Sequence, residues 1–245
     1  MTRREHYSAS LTQAQGIVDE TVRLFEIWES GVSGAQLLEI ARRQGTLGFD
    51  SDRRLRNIVI EGFGSRFLRE PHTAAAPELK RLLLASRSPR LVREIILLYT
   101  LRQHGIFYDF LVSCYWPAVR ASGVSIDSKE VGLLIDRGRI EGKLKNDWSD
   151  SVRRRVSSYV LGTAKDFELV TTPSRGSWRL QSWHPQEDTL LYLAYDLHFL
   201  GLSDDQVIQA DEWRAFGLDR PDVVMFLQRF QTNGHLLVQD SGVLC

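Results

Sequence analysis

Apolar residues recur three and four positions apart along most of this chain, and at one place the spacing changes to two. The first spacing lays apolar side chains along one face of a helix; the second puts them on one face of a strand. A chain written this way packs helix on helix and carries at most short β elements.

The punctuation fits that reading. Leu11–Trp28 reads as a helix with Thr12 as N-cap, bringing Ile17, Leu24, Ile27 and Trp28 to one face with Thr21. Gly31 ends it. Ser33 caps a second helix carrying Leu37, Leu38, Ile40 and Ala41, which stops at Gly45. Ser51 opens a third, with Leu55, Ile58, Val59, Phe63 and Phe67 at helical spacing. A short second helix and a longer third match the lengths of a helix-turn-helix. Pro71 and Pro77 mark a linker. Glu78–Ala85, Pro89–Gln103 and Ile106–Trp116 follow as helices, the last ended by Pro117. Ser125 caps a helix to Arg139, and Asp147 or Ser149 starts one to about Lys165.

The period then shortens. Phe167–Thr172 and Ser177–Ser182 alternate around Pro173-Ser174-Arg175-Gly176, a hairpin signal. A hairpin after a helix is a wing. Helices are expected over Pro185–Leu200, Ser203–Ala210 and Asp219–Thr232, and a second hairpin over His235–Gln239 and Val243–Leu244. The expected fold is mainly α: a helical bundle core, winged-helix or helix-turn-helix-like N-terminal and C-terminal units, and short β-hairpin wings. Residues 1–70 read as an N-terminal helix-turn-helix-like unit. Residues 71–183 read as a central helical bundle ending in a β-hairpin, and 184–245 as a C-terminal winged-helix-like unit.

Formal net charge is zero, with 31 Lys and Arg against 31 Asp and Glu, but the charges are unevenly spread. Ile40–Arg102 holds thirteen basic and six acidic residues; Arg153–Trp183 holds six and two. From His184 onward acidic residues predominate. Two basic zones suit a polyanion, whereas the acidic end does not. Arg far outnumbers Lys, which suits phosphate and guanine contacts; a GC-rich genome also produces that bias.

Two cysteines, Cys114 and Cys245, imply no disulfide framework. Met1–Ser10 does not read as a signal peptide, and charged residues interrupt the most apolar region, Ile95–Val119. The expected location is cytoplasmic, without a membrane.

The run Tyr7-Ser8-Ala9-Ser10-Leu11 with its following helix resembles the start of the BrxA family. So do Arg54-Leu55-Arg56-Asn57-Ile58 leading to Arg66-Phe67-Leu68, the stretch from Pro89 through Ile106-Phe107-Tyr108-Asp109-Phe110-Leu111, and Trp148–Val170. The resemblance spans Tyr7 to about Val170. BrxA proteins are small components of bacterial BREX phage-exclusion systems. The resemblance implies winged-helix-like ends, a double-stranded DNA-binding role and action beside other BREX defence proteins. It supplies no catalytic residue.

No nucleophile elbow, phosphate loop or zinc spacing is present, so the expectation is a non-enzymatic protein without metal or cofactor. Gly62-Phe63-Gly64 reads as a close helix contact, and Asp19-Glu20, early in the first helix, as a solvated face. Stepping 100° per residue along the third helix sets Arg53, Asn57 and Gly64 opposite the apolar stripe, with Arg54 and Arg56 on its flanks. Arg42 and Arg43 end the preceding helix, where backbone contacts are expected. Arg66 falls on the stripe and reads as a buried structural residue. Arg153, Arg154 and Arg155 precede the first hairpin, and Arg175 and Arg179 lie on it. The candidate DNA contacts are therefore Arg42, Arg43, Arg53, Arg54, Arg56, Asn57, Arg153, Arg154, Arg175 and Arg179. A solvated charged face is the alternative for each group. Tyr159, Trp178 and Trp183 could stack on bases or fill the core. Two alternatives remain open: an RNA-binding helical protein, or a protein–protein adaptor within a defence complex.

Overall fold

Helices form where the apolar spacing requires them, and several begin on a side chain that caps them. The structure is a computed structural model that describes residues 6–174 and 176–232. Among these, α1 (Val18–Ile27) precedes α2 (Gly34–Gln44), which starts on a Ser33–Gln36 capping box and stops at Gly45, φ 61°. Only glycine reaches that left-handed backbone without cost. Ser51 caps α3 (Asp52–Arg56), which runs on through a π-helical stretch (Asn57–Gly64) into α4 (Ser65–Phe67).

α1 begins later than its sequence suggests. Ala9–Thr12 is a short 3-10 turn, and Ile17 at the α1 N-cap is left-handed, φ 44°. The reason lies elsewhere in the chain. The buried Arg66 guanidinium donates to the carbonyls of Ala14 (3.0 Å), Gln15 (2.5 Å) and Gly16 (3.0 Å). With those carbonyls turned to Arg66, residues 14–16 are non-helical and α1 starts only at Val18. The π stretch is a second departure. Its wider turn breaks the 100° step, so Gly64, expected opposite the apolar stripe, is buried.

The segment after Pro71 is packed: His72–Ala75 forms a 3-10 turn, and the His72 ring meets Tyr99 edge-on at 5.1 Å. α5 (Ala76–Ala85) and α6 (Pro89–Gln103) follow, and Ile95–Leu98 of α6 are fully buried. α7 (Gly105–Phe110) continues through a π stretch (Leu111–Tyr115) into α8 (Trp116–Arg120). Pro117 therefore starts α8 instead of ending a helix. The wider turn before it accommodates a ring that would clash inside a regular α-helix.

Ser125 does not cap a helix either. Ser125–Ile126 is strand β1, and Asp127 with Glu130 forms the capping box of α9 (Ser128–Ile140). Ser149 caps α10 (Asp150–Asp166), which leads into β2 (Val170–Thr171) and β3 (Trp178–Leu180). The expected hairpin is present but shorter, and β1 extends it to an antiparallel sheet of order β1-β3-β2. Its register pairs Ser125 with Arg179 and Thr171 with Arg179.

α11 (Glu187–Phe199), α12 (Asp204–Ile208), α13 (Glu212–Ala215) and α14 (Arg220–Thr232) complete the described chain. α13 is a short helix beyond those the apolar spacing predicts. The expected second hairpin, His235–Gln239 with Val243–Leu244, lies outside the described residues.

Residues 1–190 form one compact unit and 191–245 another. In the first, Phe25, Phe63 and Phe67 meet ring to ring at 4.7–5.2 Å, with Tyr99 against Phe67. In the second, Trp213 is buried, donates to the Val207 carbonyl at 2.7 Å and meets Phe226.

Candidate nucleic-acid interface

The candidate arginines that the structure describes fall on two helix-and-turn arrangements of the first unit. The earlier is α2–α3. Arg42 closes it: its Nε donates to Asp52 Oδ1 at 2.8 Å, and its Nη1 bonds Glu39. Asp52 raises the pKa of Arg42 above its ordinary value, with Glu39 adding to the effect, and Arg42 holds the Asp52 carboxyl below the usual range. Arg42 is thus engaged in fastening α2 to α3. Arg43, Arg53 and Arg56 are exposed, with no hydrogen-bond or ion-pair partner among the described residues. Arg54 is also exposed, its guanidinium 4.3 Å from the centre of the Phe49 ring, which orients it. Asn57 is half-buried at the start of the π stretch.

The later arrangement is α9–α10 with the sheet. Arg153 bonds Asp136 of α9 at 2.5 Å and lies 4.0 Å from Asp150, so it ties the two helices together. Arg154 and its neighbour Arg155 are exposed without such a partner. With Ser151, Ser158 and Lys165, also exposed, they form a polar stripe along α10. Arg179 is exposed on β3, the middle strand. Arg175 lies outside the described residues. Arg155, outside the candidate set, is exposed beside Arg154 and joins this face.

The two arrangements meet near residues 13–17. Gly16 N donates to Asp166 Oδ2 of α10 at 3.0 Å, and a Cβ on Gly16 would stand 2.5 Å from that of Asp166. A Cβ on Gly62 would stand 2.6 Å from Ile17 Cδ1, so the glycine-rich stretch is a close contact between the π stretch and this segment. Arg66 is fully buried, which pushes its pKa down, with Asp166 and Glu20 opposing the shift. Burial likewise raises the pKa of Asp166.

Beside this junction lies a cavity of about 530 Å³, lined by Gln13, Gln15, Ile17, Val18, Asp19, Glu20, Arg54, Ile58, Arg93, Tyr159 and Asp166. Because α1 starts at Val18, Asp19 and Glu20 occupy its first turn, and both also line this cavity. Tyr159 is half-exposed at its wall, whereas Trp183 is buried against Trp116 at 6.0 Å. Among the described residues no group of three or more His, Cys, Asp or Glu is placed to hold a metal ion. Nor is any helix among them long and apolar enough to cross a membrane.

Comparison with known proteins gives a family and a likeness of fold. The BrxA family model matches residues 5–196. A solved structure described as an uncharacterized protein from Magnetospirillum magneticum is similar at a TM-score of 0.62. It shares 15% identity over 84% of this chain and 98% of that one, a likeness of fold alone. No curated protein matches the chain.

Proposed function

Because the chain belongs to the BrxA family, we propose that it is a non-enzymatic, double-stranded DNA-binding component of a bacterial BREX phage-exclusion system. It acts in the cytoplasm beside other BREX defence proteins. The observation that carries this reading is the order of elements from α7 to β3. A helix, a short strand, two helices and a hairpin follow one another, and the first strand pairs with the last. A winged helix is built in this order, and its second helix of the pair enters the major groove.

In this arrangement α10 is the groove helix. Arg153 holds it against α9 through Asp136, which leaves Arg154, Arg155 and Ser158 on its outer face. Arg154 and Arg155 meet phosphates or guanine edges, and Ser158 donates to whichever acceptor lies opposite. Arg179, on β3, contacts the flanking DNA backbone. Arg43, Arg53, Arg54 and Arg56 extend the contact from the α2–α3 side, with Arg42 and Asn57 supporting them.

The test is duplex binding at two or more salt concentrations, with duplex RNA and single strands alongside. Each lost phosphate contact lowers the salt slope by about 0.9. Arg154→Ala with Arg155→Ala is expected to flatten the slope by one to two such steps. An unchanged slope would remove α10 from the interface. Equal affinity for duplex RNA would replace the DNA reading.

A further inference from the structure

The cavity between α3, the Gln13–Ile17 segment and α10 has a use that groove binding does not require. We propose that it receives one unpaired nucleotide, base first. The inference rests on the nucleic-acid reading above and adds a distinct ligand site to it.

A volume of about 530 Å³ lies within the range of small-ligand sites and is ample for a mononucleotide. The burial of its lining sets a direction. Ile17 and Ile58 are 7% and 5% exposed and form an apolar floor, whereas Arg54 is exposed at the rim. Tyr159 presents a half-exposed aromatic ring to the same space. Tyr159 has no aromatic contact among the described residues, and a base supplies a stacking partner.

Hydrogen-bonding groups are also left over. The Gln15 side-chain amide has no partner among the described residues, and it lies against α10 because position 162 is glycine. A Cβ there would come within 3.0 Å of Gln15 Nε2. Asp166 spends one carboxyl oxygen on Gly16 N and has the other available. An amide that both donates and accepts, beside a free acceptor, matches a base edge bearing an exocyclic amine, such as adenine.

Charge places the phosphate. Asp19, Glu20 and Asp166 repel an anion from the interior. Arg93 also lines the cavity, but Glu168 holds it at 2.8 Å. Arg54 is the lining cation without an acidic partner among the described residues, and Phe49 fixes its direction. The phosphate therefore stays outside at Arg54 while the base goes in.

The experiment uses the whole chain and three probes: free dAMP, a blunt duplex, and the same duplex with one unpaired 2-aminopurine. Free and strand-borne nucleotides share the chemistry, and these probes separate them. Saturable dAMP binding is expected, together with tighter binding of the bulged duplex and quenched 2-aminopurine fluorescence. Tyr159→Ala should weaken binding of dAMP and of the bulge by about 5- to 150-fold, the range for loss of one stacked base. It should leave blunt-duplex affinity unchanged, and Tyr159→Phe should retain the wild-type values. If Tyr159→Ala melts early, Gln15→Ala reads the same loss, because Arg66 uses only the backbone carbonyl of Gln15. Blunt-duplex binding with no dAMP binding and no preference for the bulge would overturn the pocket and leave the DNA reading intact. Tyr159-dependent dAMP binding without duplex binding would support the pocket for a free nucleotide and refute the duplex reading.

Discussion

Replacing Arg66 with Met tests whether the junction at residues 14–17 is held as described. Met keeps a long apolar stem and removes the guanidinium. Three carbonyls then lose their donors, at 3.0 Å for Ala14, 2.5 Å for Gln15 and 3.0 Å for Gly16. Gln15 is half-exposed and can turn to water, but Ala14 and Gly16 are buried. Each buried orphan costs about 1–3 kcal/mol. Arg66 also carries the desolvation cost of a charge 1% exposed, and Met relieves part of that. The net expectation is a loss of about 2–5 kcal/mol, toward the upper end of ordinary single substitutions. Arg66→Lys keeps the charge without the planar fork and should fall between the two. Urea unfolding read by tryptophan fluorescence gives the stability, and amide exchange at Gly16 and Thr21 shows whether the segment loosens first. A change below about 1 kcal/mol for Arg66→Met, with unchanged exchange, would refute the argument that these carbonyls depend on Arg66.

Three further outcomes follow from the same geometry. Arg42→Ala should weaken duplex binding less than Arg43→Ala with Arg53→Ala, because Arg42 is engaged by Asp52 and Glu39; equal losses in binding titrations would count against this. Asp166 has a folded-state pKa above its ordinary 3.8, so the folded chain binds more protons in that window and stability from this group rises as pH falls through it. Asp166→Asn keeps an acceptor for Gly16 and removes the buried charge, so the variant should gain on the wild type as pH rises toward neutrality; denaturant titrations at several pH values would detect the opposite trend. In the acidic second unit, Arg214→Ala with Arg220→Ala should leave duplex affinity and its salt slope unchanged, and a flattened slope would place DNA on that unit as well.

Legibility differed between the fold and the site. Ser33, Gly45, Ser51, Ser149 and Ser203 could be placed because a cap acts within a few residues of itself. The apolar stripe put Arg66 inside, as found, but not its target, since Ala14–Gly16 lie about fifty positions away in the chain. Charge spacing picked out Arg42, Arg43, Arg153 and Arg154 alike. Only the packing shows that acids of neighbouring elements engage Arg42 and Arg153 and leave Arg43, Arg154 and Arg155 unpaired. Its aromatic character alone leaves Tyr159 either a core or a stacking residue, and its place beside a cavity separates it from the buried Trp183.

The sequence alone determined the mainly helical class, most helix starts and the hairpin, because helical periodicity, caps and turn residues are local. Tertiary structure alone decided three things. β1 is two residues long and shows no period of its own; it exists because β3 supplies its hydrogen bonds. The π stretch from Asn57 to Gly64 accompanies close packing at Gly62, where Ile17 and Ala14 come nearer than any side chain would allow. The late start of α1 accompanies Arg66, whose buried Nη1 and Nη2 donate to the three carbonyls just before it. In each case a hydrogen bond or a contact from a distant part of the chain outweighs a local preference worth at most about 1 kcal/mol per residue.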